Sequence, residues 1–133
     1  MRPAILIHGP TASGKTRLAI ALARRLDGEI LNADAMQCYR DLDILTARPE
    51  AEELAAAPHH LFGHVDADCR HSAGEWSKEA AAEIARLGAA GKIPIIVGGT
   101  GLYLMALAEG LSEIPPVPDQ IRRDSRARVA RDL

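Results

Sequence analysis

A three-layer α/β fold, in which helices cover both faces of a parallel sheet, is the architecture this sequence predicts, and three observations predict it. The segment Gly9-Pro10-Thr11-Ala12-Ser13-Gly14-Lys15-Thr16 fits the P-loop pattern of a glycine, four residues, then Gly-Lys-Ser/Thr. It stands between a short apolar run, Ala4-Ile5-Leu6-Ile7, and a helical stretch from Arg17 to Leu26. Strand-like and helix-like segments then alternate, which implies right-handed crossovers and a parallel sheet. The fold class is therefore α/β, P-loop NTPase-like, and 133 residues suit one domain with one core.

The elements follow in order. Leu18, Leu22 and Leu26 recur at i, i+4 and i+8, so the first helix is expected to bury that stripe. Asp27-Gly28 ends it, glycine being common at that position. Glu29 to Ala33 reads as a second strand ending at Asp34. Glu50 to Ala57 reads as a short helix between Pro49 and Pro58, and His60 to Val65 as a third strand. Ser72-Ala73-Gly74-Glu75 has capping-box spacing, and Trp76, Ala80, Ile84 and Leu87 then share a helical face. Ile93-Pro94-Ile95-Ile96-Val97 is apolar on both faces, as a central parallel strand is. Pro94 is expected near its start, where a missing N–H matters least. Gly98-Gly99-Thr100-Gly101 leads into a helix carrying Leu104 and Leu107. Pro115-Pro116-Val117-Pro118 reads as a break, and Asp119 to Leu133 as a final helix with only Ile121 and Val129 to pack. A helix that polar leans on further chain or on a partner, so the fold reads as truncated.

Bulk properties narrow the function. The content is 47% hydrophobic and 26% charged, ordinary for a globular protein. A formal charge of −2 gives no global attraction to nucleic acid, so any such binding needs a local patch. Cys38 and Cys69 are the only cysteines and lack CxxC spacing, which favours reduced thiols in a cytoplasmic protein. The apolar run before His8 is too short for a signal peptide or a membrane span.

The chemistry concentrates at one predicted rim. A glycine-rich turn before a helix aims backbone N–H groups at a single point, and Gly9 and Gly14 permit the angles this needs. Lys15 adds a mobile cation, and the Thr16 hydroxyl suits Mg²⁺, which makes a site for a di- or triphosphate. Ligands of such sheets bind at the carboxyl ends of strands, which puts the P-loop, Asp34 and Thr100 together. The strand ending at Val97 offers no carboxylate of the kind that holds Mg²⁺ in hydrolytic P-loop enzymes. Asp34 is the only strand-end acid. It serves the metal, takes a proton from an acceptor, or caps a turn, and the spacing leaves these open. Thr100 stands between glycines as a hydroxyl donor to a ligand or as a helix N-cap. His59, His60, His64, Cys69 and His71 cluster in sequence without a recognised zinc spacing, and read as polar loop or sheet-edge residues. Arg122, Arg123, Arg126, Arg128 and Arg131 could follow a phosphate backbone, but Asp119, Asp124 and Asp132 dilute the run toward a solvated face.

Taken together, these residues resemble the tRNA dimethylallyltransferase (tRNA isopentenyltransferase) family. The resemblance is carried by Gly9 to Thr16, by Asn32-Ala33-Asp34-Ala35-Met36-Gln37-Cys38-Tyr39-Arg40, and by Leu42-Asp43-Ile44-Leu45-Thr46-Ala47-Arg48-Pro49. Pro58-His59-His60-Leu61 and Val97-Gly98-Gly99-Thr100-Gly101-Leu102-Tyr103 continue it in the same order. The resemblance implies transfer of a dimethylallyl group from dimethylallyl diphosphate to the exocyclic amine of the adenosine 3′ to a tRNA anticodon. It assigns the loop from Gly9 to Thr16 to the donor diphosphate, Thr16 to Mg²⁺, and the catalytic parts to Asp34, which takes the proton of the amine, and Thr100. Asp34, Ala35, Met36, Gln37, Thr100 and Arg122 would meet the tRNA, Arg122 by its distance past Gly-Gly-Thr alone. A cytoplasmic, monomeric full-length enzyme is implied.

Two residues depart from the family pattern: Ala35 stands where Ser is common, and Leu45 where Gly is frequent. Members of that family run on well past residue 133. The chain therefore resembles an N-terminal portion, in which residues 1–133 form the P-loop core and 119–133 begin a basic helix. Alone it is expected to bind tRNA weakly and to be inactive or nearly so. The rival readings are an adenylate isopentenyltransferase with a free nucleotide as acceptor, a small-molecule kinase using ATP at the same loop, and a noncatalytic phosphate-binding module.

Overall fold

The computed structural model describes residues 3–42, 48–112 and 114–132. Its strands are β1 (Ile5–His8), β2 (Gly28–Asn32), β3 (His59–His60) and β4 (Ile93–Gly98). They form one parallel sheet in the order β1-β4-β2-β3. The helices are α1 (Lys15–Leu26), α2 (Ala51–Ala56), α3 (Ala73–Ala89), α4 (Gly101–Glu109) and α5 (Asp119–Asp132). The expected α/β class is what the chain adopts. As predicted, β4 is a central strand, and Pro94 sits second in it.

Alternation along the central strands divides the core in two. Ile30, Ile95 and Val97 point to one face, where Ala19 and Ala23 of α1 cover them. Leu31 and Ile96 point to the other, against Trp76, Ala80 and Leu87 of α3 and Tyr103 and Leu104 of α4. Both faces of β2 and β4 are thus closed, as a parallel sheet requires. Each fully buried Leu or Ile there stabilises the fold by about 1.5–3 kcal/mol. α3 starts as its sequence prescribes: the Ser72 hydroxyl accepts the Glu75 N–H, and the Glu75 carboxylate accepts the Ser72 N–H. A second capping box, on Glu50 and Glu53, opens α2.

Four expectations are corrected. The stripe of α1 that is buried is Ala19 and Ala23, with Ile20 and Leu22 beside it, whereas Leu18 is 51% and Leu26 39% exposed. Small residues let the helix lie close to the sheet, and the leucine line is rotated out. At the end of α1 it is Asp27 that takes the left-handed conformation, with φ 53°. Gly28 instead opens β2, where a Cβ would stand 2.7 Å from the Ile93 carbonyl oxygen. The third strand is only His59–His60, because Leu61 turns to φ 64° and breaks the extension. In α5, Ile121 and Val129 are exposed rather than packed. The Leu42–Pro49 motif lies outside the described residues over 43–47, Leu45 included.

Candidate functional site: a cleft between the P-loop and the end of the second strand

Because all the strands run parallel, their carboxyl ends lie at one edge of the sheet. The loop from Gly9 to Gly14 leaves β1 there, Asp34 follows β2, Phe62 follows β3, and Gly98-Gly99 close β4. A cleft of about 270 Å³ opens between them. Thr11 to Thr16 form one wall, while Asn32, Asp34 and Gln37 form another beside His59, Phe62 and Gly99.

The P-loop wall is shaped by backbone conformation. Gly14, with φ 88°, precedes α1 and its carbonyl accepts the Leu18 N–H at 3.1 Å. The second left-handed residue is Ala12, φ 61°, and not Gly9. An alanine held there stores strain of order 1–3 kcal/mol, which clusters at ligand-binding loops. The Lys15 ammonium donates to the Pro10 carbonyl oxygen at 2.5 Å, and the Ser13 hydroxyl donates to the same oxygen at 2.7 Å. The loop therefore has a cation folded onto its own backbone, at the mouth of a helix N-terminus that favours anions.

Asp34 plays one of the parts its spacing left open, that of turn cap. Its Oδ1 accepts the N–H groups of Met36 at 2.9 Å and Gln37 at 3.4 Å, capping the short 3-10 turn Met36–Cys38. Its carboxylate also lines the cleft, and Oδ2 has no hydrogen-bond partner among the described residues.

The residue that sequence reasoning did not single out is Asn32. It is 1% exposed, and its amide joins four groups. Nδ2 donates to the carbonyls of Asp34 at 2.9 Å and Leu61 at 3.0 Å and approaches Cys38 Sγ at 3.4 Å, while Oδ1 accepts the Asp34 N–H. The Trp76 indole donates to the Asn32 carbonyl at 2.7 Å. Asn32 thus fixes Asp34 from behind. The one signal in the sequence was a polar residue closing an otherwise apolar strand.

Thr100 is placed differently from a ligand-facing hydroxyl. It occupies the N-cap position of α4, where its carbonyl accepts the Tyr103 N–H at 3.0 Å but its side chain makes no cap bond; its Oγ1 instead accepts the Ala35 N–H at 3.0 Å. It lies outside the cleft lining, which ends at Gly99. Ala35 is half-buried, and Met36 is exposed at the outer side of the turn. Arg122 is likewise outside the lining; on α5 its Nε donates to the Val117 carbonyl at 3.4 Å.

Burial sets the titration of neighbouring groups. Desolvation pushes the Cys38 thiol up to about 11 and raises the Tyr103 phenol, which hydrogen-bonds it. Desolvation lowers His59, whose Nδ1 bonds the Ala57 carbonyl at 2.7 Å and whose Nε2 is buried without a partner. The clustered histidines separate: His60 pairs with Glu29 at 2.6 Å, whereas His64 and His71 meet at Glu79.

Comparison with known proteins gives the chain's family. A family model described as IPP transferase matches residues 37–132, and one described as isopentenyl transferase matches residues 3–62. A tRNA dimethylallyltransferase of Hyphomonas neptunium is 61% identical over 127 residues, covering 96% of this chain and 40% of its own length. One from Nitrobacter hamburgensis is 55% identical over 129 residues, 97% of this chain and 41% of its own. Among solved structures, the tRNA isopentenylpyrophosphate transferase of Bacillus halodurans superposes with a TM-score of 0.82 at 36% identity, over 98% of this chain and 43% of that one. A eukaryotic dimethylallyltransferase acting on tRNA gives 0.80 at 34% identity, over 91% and 31%. The chain therefore spans about two fifths of the length of the curated relatives it matches.

Proposed function

Because the chain belongs to the IPP transferase family, we propose that its cleft binds dimethylallyl diphosphate and carries the transfer of the dimethylallyl group to an exocyclic adenosine amine of tRNA. The observation that supports this most is the pairing of one anion-binding wall, Thr11 to Thr16, with the strand-end carboxylate of Asp34 in the same cleft. Among the described residues no second strand-end carboxylate lines it; the other acid there, Glu53, lies on α2 and accepts the Glu50 N–H.

The donor set suits Mg²⁺: the Thr16 hydroxyl and the Asp34 carboxylate are hard oxygen donors in one cleft, and the diphosphate adds more. Thr16 would hold the ion, which when bound neutralises charge on the leaving diphosphate.

The chain's own groups do the rest. Loop N–H groups at the start of α1 and the Lys15 ammonium hold the diphosphate. Lys15 exchanges the neutral Pro10 carbonyl for an anionic partner, so that both sides of the bond are charged. The allylic C–O bond breaks with its electron pair going to the diphosphate, and the adenosine nitrogen bonds the allylic carbon. The nitrogen then gives its proton to the free oxygen, Oδ2, of Asp34. The base must leave its stack to arrive there, at a cost of a few kcal/mol. The exposed turn at Met36 and the Asp34–Gln37 backbone are where the tRNA would be met, with Thr100 and Arg122 supporting that surface from outside the cleft.

The test is transfer of labelled dimethylallyl to tRNA by this chain joined to the remainder of the Hyphomonas neptunium relative. Asp34→Asn keeps an oxygen for the Met36 cap and is expected to bind the donor but lose about 10²–10⁴ in rate. Undiminished transfer by that variant would remove Asp34 from the reaction. Transfer of a labelled γ-phosphate from ATP instead would replace the reading with a kinase.

A further inference from the structure

His64, His71 and Glu79 meet outside the cleft, and none of them lines it. His64 Nε2 stands 2.8 Å and His71 Nε2 3.1 Å from the same oxygen, Glu79 Oε2. The two rings are edge-on, at 88° with centroids 5.4 Å apart, so both nitrogens aim at one point. The His71 side chain is only 6% exposed, and its Nδ1 has no hydrogen-bond partner among the described residues. A buried imidazole with one nitrogen orphaned and the other sharing a single oxygen is poorly explained as a salt bridge.

We propose that His64, His71 and Glu79 form a binding site for a zinc-class divalent metal ion that clips the loop after β3 to α3. Two imidazole nitrogens and a carboxylate, with water as the fourth ligand, are a donor set that zinc takes. Tetrahedral ligation at about 2.0–2.1 Å separates donor atoms by roughly 3.3 Å. Each imidazole therefore withdraws from Glu79 by about half an ångström or less. Imidazole donors disfavour Mg²⁺, so the site does not compete for the ion of the cleft. The exposed trio Asp66, Asp68 and Cys69 is a separate group and lacks any buried member.

The ion's place in the fold gives it a structural part. His64 precedes Val65, whose N–H bonds the Cys38 carbonyl at 3.0 Å and whose carbonyl accepts the Arg40 N–H at 2.9 Å. The Gly63 N–H bonds the Gln37 carbonyl at 2.9 Å. Holding His64 against α3 therefore braces the turn that follows Asp34.

Cobalt titrated into the intact chain is the direct probe. It is expected to give the visible absorption of a four-coordinate nitrogen and oxygen site at one ion per chain. Zn²⁺ should displace it and raise the unfolding temperature, while excess Mg²⁺ should do neither. His64→Gln, at a partly exposed side chain, and the double variant H64Q/E79Q are each expected to weaken Zn²⁺ by at least about tenfold. Unchanged affinity in the double variant would overturn the proposal. So would absence of the cobalt spectrum, or a sulfur charge-transfer band placing the ion on Cys69.

Discussion

The Thr100 hydroxyl accepts the Ala35 N–H at 3.0 Å, bonding the start of α4 to the residue after Asp34. The Thr100 N–H also bonds the Ala33 carbonyl at 3.2 Å. Two adjacent strand ends are therefore stitched together just behind the cleft.

Replacing Thr100 by Val keeps the shape and removes the acceptor. The half-buried Ala35 N–H is then left without its partner, which costs about 1–3 kcal/mol. Thr100→Ser restores most of that. Urea unfolding of the two variants should separate them by this margin, and equal stability would mean that water replaces the hydroxyl.

Lys15→Ala removes the only ammonium in the P-loop wall. A hydrogen bond to a charged group contributes about 1.5–3 kcal/mol, so dimethylallyl diphosphate should bind roughly 10–100-fold more weakly. Calorimetry with Mg²⁺ present measures it. Lys15 lies at the surface and bonds only a backbone carbonyl, so unfolding should be almost unchanged.

Gly98→Ala strikes the sheet itself. A Cβ at that position would overlap the Ala33 carbonyl, which is backbone and has nowhere to go. The Ala33 N–H bonds the Val97 carbonyl at 2.7 Å, so the strands cannot part without losing it. Overpacking of this kind costs about 1–3 kcal/mol or more. Thermal unfolding should show the loss, together with weakened donor binding.

His59 gives the fold a dependence on pH. Desolvation lowers its folded value below the ordinary 6.5, against weaker raising effects of the Ala57 carbonyl and Glu53, with His60 lowering it further. Below 6.5 the unfolded chain binds a proton that the folded one resists, so stability falls as pH drops through that value and is level above it. His59→Gln should flatten this slope in denaturant titrations at pH values either side of 6.5.

Much of this site was legible because local rules and tertiary structure agree there. The spacing of Gly9, Gly14 and Lys15 names the loop, and Ser72 and Glu75 name the start of α3. The apolar face of Trp76, Ala80 and Leu87 packs as its period requires. Leu18 and Leu26 misled because hydrophobic period cannot tell a leucine stripe from the alanine stripe beside it. Which one faces the sheet depends on how closely the helix approaches. Asn32 escaped notice because its partners, Leu61 and Trp76, are far along the chain. The meeting of His64, His71 and Glu79 was equally invisible, since the loop geometry that joins them begins with the turn at Leu61.

Trp76 is the chain's only tryptophan, fully buried, stacked on Tyr103 at 4.6 Å and bonded to Asn32. Its indole sits one residue's backbone away from the wall that Asp34 occupies. The molecule thus carries a built-in optical gauge: emission from its single indole, excited at the red edge where the two tyrosines do not absorb, reports on the rear of the cleft with no label to attach.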